Sequence, residues 1–331
     1  MAEYFPATYS TLSVKALIEM VSNNYKLENL LECKLLNHGL NDTYLLKTTA
    51  NKHYIIRVYR TRWRSLSDIS YELDVLMHLH QHGVHVSIPL PRRDNEFIQT
   101  VTTIEGTRYV VLFTFASGRE PSYEDEKQAI QYGRAVALVH AATDGFISKH
   151  SRFSLDLNHL LHSPMKEIQP ILSRRHQDWE YLEKLYDKLC STLVALPLCN
   201  LEQGFCHGDF HGWNANIEED GTLTFYDFDC GGSGWRAYDV AVFRWCAMLR
   251  DKEKERWELF LQGYREVKEL KQIDIEAVPY FIGVRHIWIM GLHAANAYDL
   301  GYGWLNDDYY DHQMKFLHRW DTEFFNERKS G

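Results

Sequence analysis

Residues His207–Asn214 read HGDFHGWN and place two histidines four apart around an aspartate. A histidine pair at that spacing binds a transition metal when both rings project from one face of a helix. Gly208 and Gly212 lie inside the stretch, and each costs about 1 kcal/mol in a helix interior. No apolar period runs through it and no third ligand follows at a suitable spacing, which speaks against zinc. The residues downstream suggest other chemistry. NANIEEDGTLTFYDFD alternates like two short strands around Asp220-Gly221, a strong two-residue turn signal. With that pair as the turn, Glu219 faces Thr222, Ile217 faces Thr224 and Asn214 faces Asp227. A carboxamide and a carboxylate then stand side by side, and Asp209 lies in the loop that feeds the same end. A hard cation such as Mg2+ takes oxygen ligands from one or two protein groups together with substrate phosphates. A further aspartate, not bound to the metal, can accept the proton of an attacking hydroxyl, as in phosphoryl transfer.

HGDFHGWN followed by DFD resembles the H-G-D-x-H-x-x-N … D-F-D signature of the aminoglycoside phosphotransferase/choline kinase superfamily, whose fold is protein-kinase-like. The resemblance runs from about Leu35 to Val242. It implies Asp209 as catalytic base, Asn214 and Asp227 as magnesium ligands, and His207 as a support for the loop backbone. Asp229 would either help to hold the metal or brace the loop, and His211 would be structural. Asp239, in WRAYDVA, looks like the acid that pins the loop to a helix start. On the nucleotide side, NHGLNDTYLL, with Gly39 and Asn41, looks like the family's phosphate loop. Glu72, in YELDVL, stands where the helix glutamate of the kinase scheme belongs. HYIIRVYR puts Arg57 at the usual lysine position, keeping the charge and adding a bidentate fork. Phe113 falls at the gatekeeper position, and backbone groups from Thr114 to Ala116 would bind adenine. The co-substrate implied is ATP with Mg2+. No G-x-x-x-x-G-K-[ST] occurs, so a P-loop ATPase is not supported.

The elements that must position these residues are partly legible. Helical spacing marks Ser13–Tyr25 and Ser67–His82, the second ended by Gly83. CKLLNHG, TYLLKTT, HYIIRVYR, FIQTV and TRYVVLFTFASG read as strands or extended pieces, as does VSIPLP. Beyond Gly118 the spacing predicts helices over 124–142, 179–196, 238–252, 256–269, 275–297 and 307–325, with one clear strand signal, between Asn214 and Asp229. The expected fold is α+β and bilobal. Residues 1–115 form a nucleotide-binding lobe, an antiparallel sheet with an inserted helix. Residues 116–331 form a mainly helical catalytic and substrate-binding lobe, and SGREPS is the hinge.

Charge and aromatic content divide at the same place. Through Phe115 there are 12 Lys and Arg against 11 Asp and Glu; the remainder carries 24 against 34 and eight of the nine tryptophans. Acidic walls and aromatic faces attract cations, so a small cationic, amine-bearing acceptor is expected on the second half. Its candidate contacts are Trp213, Trp235, Arg236, Trp288, His293, Trp304, Asp307 and Asp308. A net charge of −9 argues against a nucleic-acid partner. No apolar run approaches the roughly 20 residues of a membrane span, and MAEYFPATYS reads as no secretory leader. The six cysteines lack C-x-x-C spacing, which suggests free thiols in the cytoplasm. Two other readings share these motifs: a bacterial Ser/Thr protein kinase of the stress-response type, and a nucleotide-binding regulator without catalysis. Oligomeric state, acceptor identity and the choice of ATP or GTP are not legible in the sequence.

Overall fold

The computed structural model describes residues 7–301 and 303–326. The chain divides into two compact units. One holds the residues up to Ser117 with Ser148–Ser151 and Thr224–Tyr226; the other holds Gly118–Ile147, Arg152–Leu223 and the chain from Asp227 onward.

The first unit is built on α1 (Val14–Asn24), β1 (Leu30–His38), β2 (Asn41–Thr48), β3 (His53–Tyr59), α2 (Leu66–Gln81), β4 (Ile98–Thr103) and β5 (Gly106–Thr114). Its five strands run in the order β1-β2-β3-β5-β4, every neighbouring pair antiparallel. Local chemistry sets the helix starts. Ser13 caps α1, and at α2 the Ser65 hydroxyl accepts from Asp68 N–H (3.1 Å) while the Asp68 carboxylate accepts from Ser65 N–H (2.9 Å). Strand alternation then sorts β3 by face. Ile56 and Val58 join Tyr44, Leu46, Val110 and Leu112 in a core closed by Leu17 and Val21 of α1. Arg57 and Tyr59 are instead bonded to Glu72 of α2. VSIPLP is an extended segment: Val86 bridges Phe225 in parallel and Pro89 bridges Phe113.

The second unit contains α3 (Glu126–Ala142), β6 (Ser154–Leu155), α4 (Ser163–Leu172), α5 (His176–Ala195), β7 (Gln203–Cys206), β8 (Ala215–Ile217), β9 (Leu223–Phe225, which crosses into the first unit), β10 (Gly232–Trp235), α6 (Arg236–Leu249), α7 (Glu253–Arg265), α8 (Gln272–Leu300) and α9 (Asp307–Asp321). The expected helices are present, with ends shifted by a few residues. α4 was not expected from the spacing, because its two prolines, Pro164 and Pro170, read as breakers. The sheet β6-β10-β7 also goes beyond the single strand signal expected here. Strands as short as SL, QGFC and GSGW carry too little alternation to be recognised.

The hairpin after the HGDFHGWN loop corrects the expected register. Glu218 N–H donates to Thr222 C=O at 2.9 Å and Gly221 N–H to Glu218 C=O at 3.0 Å. The loop is therefore the three residues Glu219–Gly221, and Glu218, not Glu219, pairs with Thr222. A two-residue type I′ turn needs left-handed backbone at both centres. Here Gly221 alone of the pair has it (φ +89°), while the Asp220 side chain accepts from Thr222 N–H at 2.8 Å. The pairing that sets Asn214 opposite Asp227 does not survive this one-residue slip.

Candidate active site

The loop from His207 to Asn214 is anchored before it is armed. Asp239, in the first turn of α6 and fully buried, accepts from His207 N–H and Gly208 N–H, each at 2.7 Å. Its Oδ2 also meets His140 Nε2 of α3 at 3.1 Å, and His140 Nδ1 meets the Tyr264 hydroxyl of α7 at 2.8 Å. Burial pushes the His140 pKa down, so the ring is neutral and donates to Asp239 through Nε2. Gly208 has φ +78°, and a Cβ there would lie 2.5 Å from the Cys230 carbonyl oxygen. Only glycine lets the loop pass that close.

Asp209 follows directly. Its N–H donates to His207 Nδ1 at 3.2 Å. One carboxylate oxygen, Oδ1, accepts from the Arg285 guanidinium. The other, Oδ2, accepts from Asn214 Nδ2 at 2.9 Å and faces His211 Nε2 at 3.2 Å. His211 Nδ1 accepts from Trp213 N–H at 3.2 Å, which puts the ring proton on Nε2, toward Asp209. Burial works against ionisation of Asp209, but His211, Arg285 and His207 outweigh it and hold the carboxyl well below the usual carboxylate range. Neither histidine of the motif lies on an α-helix; both are engaged in bracing this loop.

Asp227 begins the short helical turn Phe228–Cys230 with left-handed backbone, φ +65° and ψ +57°. That region is uncommon for a residue with a Cβ, although aspartate enters it more readily than most. Arg152 braces the residues that follow: its Nε donates to Gly231 C=O at 2.6 Å, and its Nη2 reaches the carbonyls of Asp229 (2.5 Å) and Phe228 (3.3 Å). The Phe228 ring lies 4.4 Å from His207, which stacks on Phe210 at 4.4 Å. Asn214 gives its amide hydrogens to Asp209, which leaves its amide oxygen as a hard donor, and Asp227 offers a carboxylate. Among the described residues no group of three or more His, Cys, Asp or Glu is placed to hold a metal ion. Two such oxygen donors would leave most positions of a hard cation to substrate phosphates and water.

The residues expected on the nucleotide side lie in the first unit. Arg57 Nη1 donates to Glu72 Oε1 at 2.9 Å, and the Tyr59 hydroxyl donates to Glu72 Oε2 at 2.9 Å. All three are buried, and the Arg57 guanidinium also lies 5.3 Å from the centre of the buried Phe113 ring. Gly39 N–H donates to Asn41 C=O at 3.3 Å, and Arg60 donates to Gly39 C=O at 2.5 Å, so the turn between β1 and β2 is held by the residue that follows β3. Thr114 N–H donates to Ile88 C=O (2.9 Å), and Thr114 C=O accepts from the Ser87 hydroxyl (2.5 Å), so the start of the expected adenine-binding stretch is itself held within the unit.

The expected acceptor contacts fall into two sets. Trp288 lies 4.6 Å from the Arg285 guanidinium, and His293 meets Trp304 (4.9 Å) and the Tyr309 hydroxyl (2.8 Å). Arg236, in contrast, is buried with Glu202 and Asp144. Asp307 pairs with Arg175, Trp235 tilts against Phe281, and Trp213 is half exposed beside Arg250. Three groups of the site escaped the sequence reading: Arg285 on Asp209, Arg152 on the DFD carbonyls, and His140 beneath Asp239. Arg285 had a signal, since a single arginine within the apolar run FIGVRHIWIM needs a buried partner. Arg152 had none, because the carbonyls it binds are more than 70 residues away.

Residues 32–270 match the model of the phosphotransferase enzyme family. An uncharacterized protein of Deinococcus radiodurans is 36% identical over 324 residues, which cover 97% of this chain and 93% of that one. Among solved structures, amicoumacin kinase hAmiN, in complex with AMP-PNP, Ca2+ and Ami, gives a TM-score of 0.77 at 20% identity, covering 93% of each chain. A microcompartment-associated aminopropanol kinase gives 0.76 at 23% identity, covering 92% of this chain and 94% of that one. These likenesses bear out the protein-kinase-like α+β fold. With more than half of its length matching the family model, and with the loop geometry described above, the chain belongs to the phosphotransferase enzyme family.

Proposed function

We propose that the protein transfers the γ-phosphoryl group of ATP to a hydroxyl of a small, amine-bearing molecule of aminoglycoside-, choline- or homoserine-like kind, and does so in the cytoplasm. One observation carries the reading: the Asp209 carboxylate is held by Asn214 in a loop whose backbone is fixed on Asp239. Such a group can align an acceptor hydroxyl and take its proton as the phosphoryl group arrives. Asn214 and Asp227 would hold Mg2+, which when bound neutralises charge on the phosphates. Arg57, oriented by Glu72, contacts the α- and β-phosphates, and the turn at Gly39 and Asn41 covers them. Membership of the family and likeness to kinases of small molecules support this assignment.

The test is phosphoryl transfer from labelled ATP with Mg2+ to a panel of amino alcohols, hydroxy amino acids and aminoglycosides. Asp209→Ala should lower kcat by about 10²–10⁴-fold, the scale of a lost general base, while the folded structure persists by circular dichroism. Unchanged turnover in that variant sinks the assignment. Transfer to protein alone would point instead to a protein kinase, and binding of ATP without consumption to a regulator.

A further inference from the structure

Arg285 sits in the middle of α8, where every residue from Phe281 to Trp288 is buried. Its guanidinium lies between two indoles, 4.9 Å from the centre of Trp245 on α6 and 4.6 Å from that of Trp288 one turn along α8. One amino group donates to Asp209 Oδ1 and the other reaches Gly208 C=O at 3.3 Å. A buried ion pair of this kind is weakly justified by stability alone, since well-packed apolar residues in its place are often as stable.

What the pair does supply is direction. An ionised carboxylate has about four acceptor positions. Arg285 occupies one on Oδ1, while Asn214 and His211 occupy two on Oδ2. Among the described residues these are the side chains that bond it, which leaves one position, so an acceptor hydroxyl can approach Asp209 along a single line. The two indoles keep the guanidinium from swinging away. Lysine, a point charge on a flexible stem, could not hold the carboxylate and the Gly208 carbonyl together.

We propose that Arg285 is a positioning residue for phosphoryl transfer, locking the plane of the Asp209 carboxylate so that its one remaining lone pair faces the acceptor hydroxyl. The proposal rests on Asp209 being the base. It acts on alignment and not on nucleotide binding, and misplacing a reacting group by about 1 Å can cost as much as 10²-fold in rate.

The experiment compares Arg285→Met, Arg285→Lys, Arg285→Ala and Asp209→Asn with the wild type. Basal hydrolysis of Mg·ATP, with water as acceptor, gives kcat; calorimetry gives Mg·ATP affinity; thermal melting checks the fold. Arg285→Met is expected to lose about 10- to 10²-fold in kcat with Mg·ATP affinity within twofold of wild type. Arg285→Lys should lose less, and added guanidinium ion should restore part of the kcat of Arg285→Ala. A role in packing alone would move melting and not produce this split. Wild-type kcat in a folded Arg285→Met protein overturns the proposal, as does a loss of Mg·ATP affinity in step with kcat. Where Met and Ala variants fail to fold, Arg285→Lys decides on the same two readouts. Asp209→Asn separates the two readings: if it keeps wild-type kcat, the assignment of the base fails whatever Arg285 does.

Discussion

Each unit of the molecule contains one buried arginine–carboxylate pair that matters to the proposed chemistry, and the two pairs are built in opposite senses. In the first unit, on the proposed function, Arg57 would be the working group and Glu72, steadied by the Tyr59 hydroxyl, its holder. In the second unit Asp209 would be the working group and Arg285 the holder, steadied by Trp245 and Trp288. Each holder does the same physical work. It offsets the desolvation of its partner and removes its freedom to rotate, so that a charge stands ready at a fixed place. The difference lies in what the fixed charge meets. A guanidinium offers several donors to a phosphate that is already ionised, so its position is tolerant. A carboxylate that must accept one proton along one line tolerates far less. Disturbing the second pair should therefore appear in kcat, and disturbing the first in KM for ATP.

The contrast can be tested by removing charges one at a time. Asp227→Ala should have the largest effect on nucleotide binding, weakening Mg·ATP affinity by about 10²-fold or more, the scale of a lost electrostatic clamp. ATP without Mg2+ should bind the variant and the wild type alike. Calorimetric titration with and without Mg2+ measures both, and normal Mg·ATP affinity in a folded Asp227→Ala protein would contradict its role as a metal ligand. Arg57→Met should be milder, raising KM for ATP about tenfold, which corresponds to roughly 1.4 kcal/mol, with kcat within a few-fold. Arg57→Lys should recover most of that loss. A kcat defect with unaltered KM in Arg57→Met would erase the distinction between the two pairs.

The two pairs also differ in how readily the sequence discloses them. Arg57 and Glu72 are 15 residues apart on a strand and a helix, both marked by their own periodicity. Asp209 and Arg285 are 76 residues apart, joined by helix packing that no local pattern records. Asp209, Asn214 and Asp239 could be singled out because motif and loop chemistry are local, and the structure places all three together through His207 and Gly208. The hairpin shows the limit of that reasoning. Asp220-Gly221 forms the turn that its residue types announce, but the Asp220 side chain closes an Asx bond to Thr222 and the register lies one residue away from that of a two-residue turn. α4 and β10 were missed for related reasons, since prolines and glycines placed by tertiary contacts hide the period of the element that contains them.

A smaller effect should separate the second unit by its response to acid. His286 stacks on Phe316 at 4.1 Å, accepts from Trp245 Nε1 at Nδ1 (3.1 Å) and donates from Nε2 to Gln313 C=O (3.2 Å). Protonating Nδ1 would break the bond to Trp245, which flanks Arg285. Burial, together with the charge of Arg285, holds the pKa of His286 down at about 3. Burial and Arg285 likewise hold His293 down at about 4. In the unfolded chain both titrate near their ordinary value of about 6.5. Below that pH the unfolded chain takes up protons that the folded chain refuses, so stability falls as pH falls from about 6.5 toward the folded-state values. Above about 6.5 both states are neutral and the histidines contribute no slope. Each histidine contributes at most about 1.4 kcal/mol per pH unit inside that window. His286→Gln keeps an acceptor for Trp245 and a donor for Gln313 without the ionisable ring. Denaturant unfolding of this variant and the wild type between pH 6.5 and 4.5, compared at each pH so that the carboxylates common to both cancel, should show a slope shallower by about one proton in the variant. An unchanged slope would mean that the Trp245 wall of the Arg285 slot does not depend on a neutral His286.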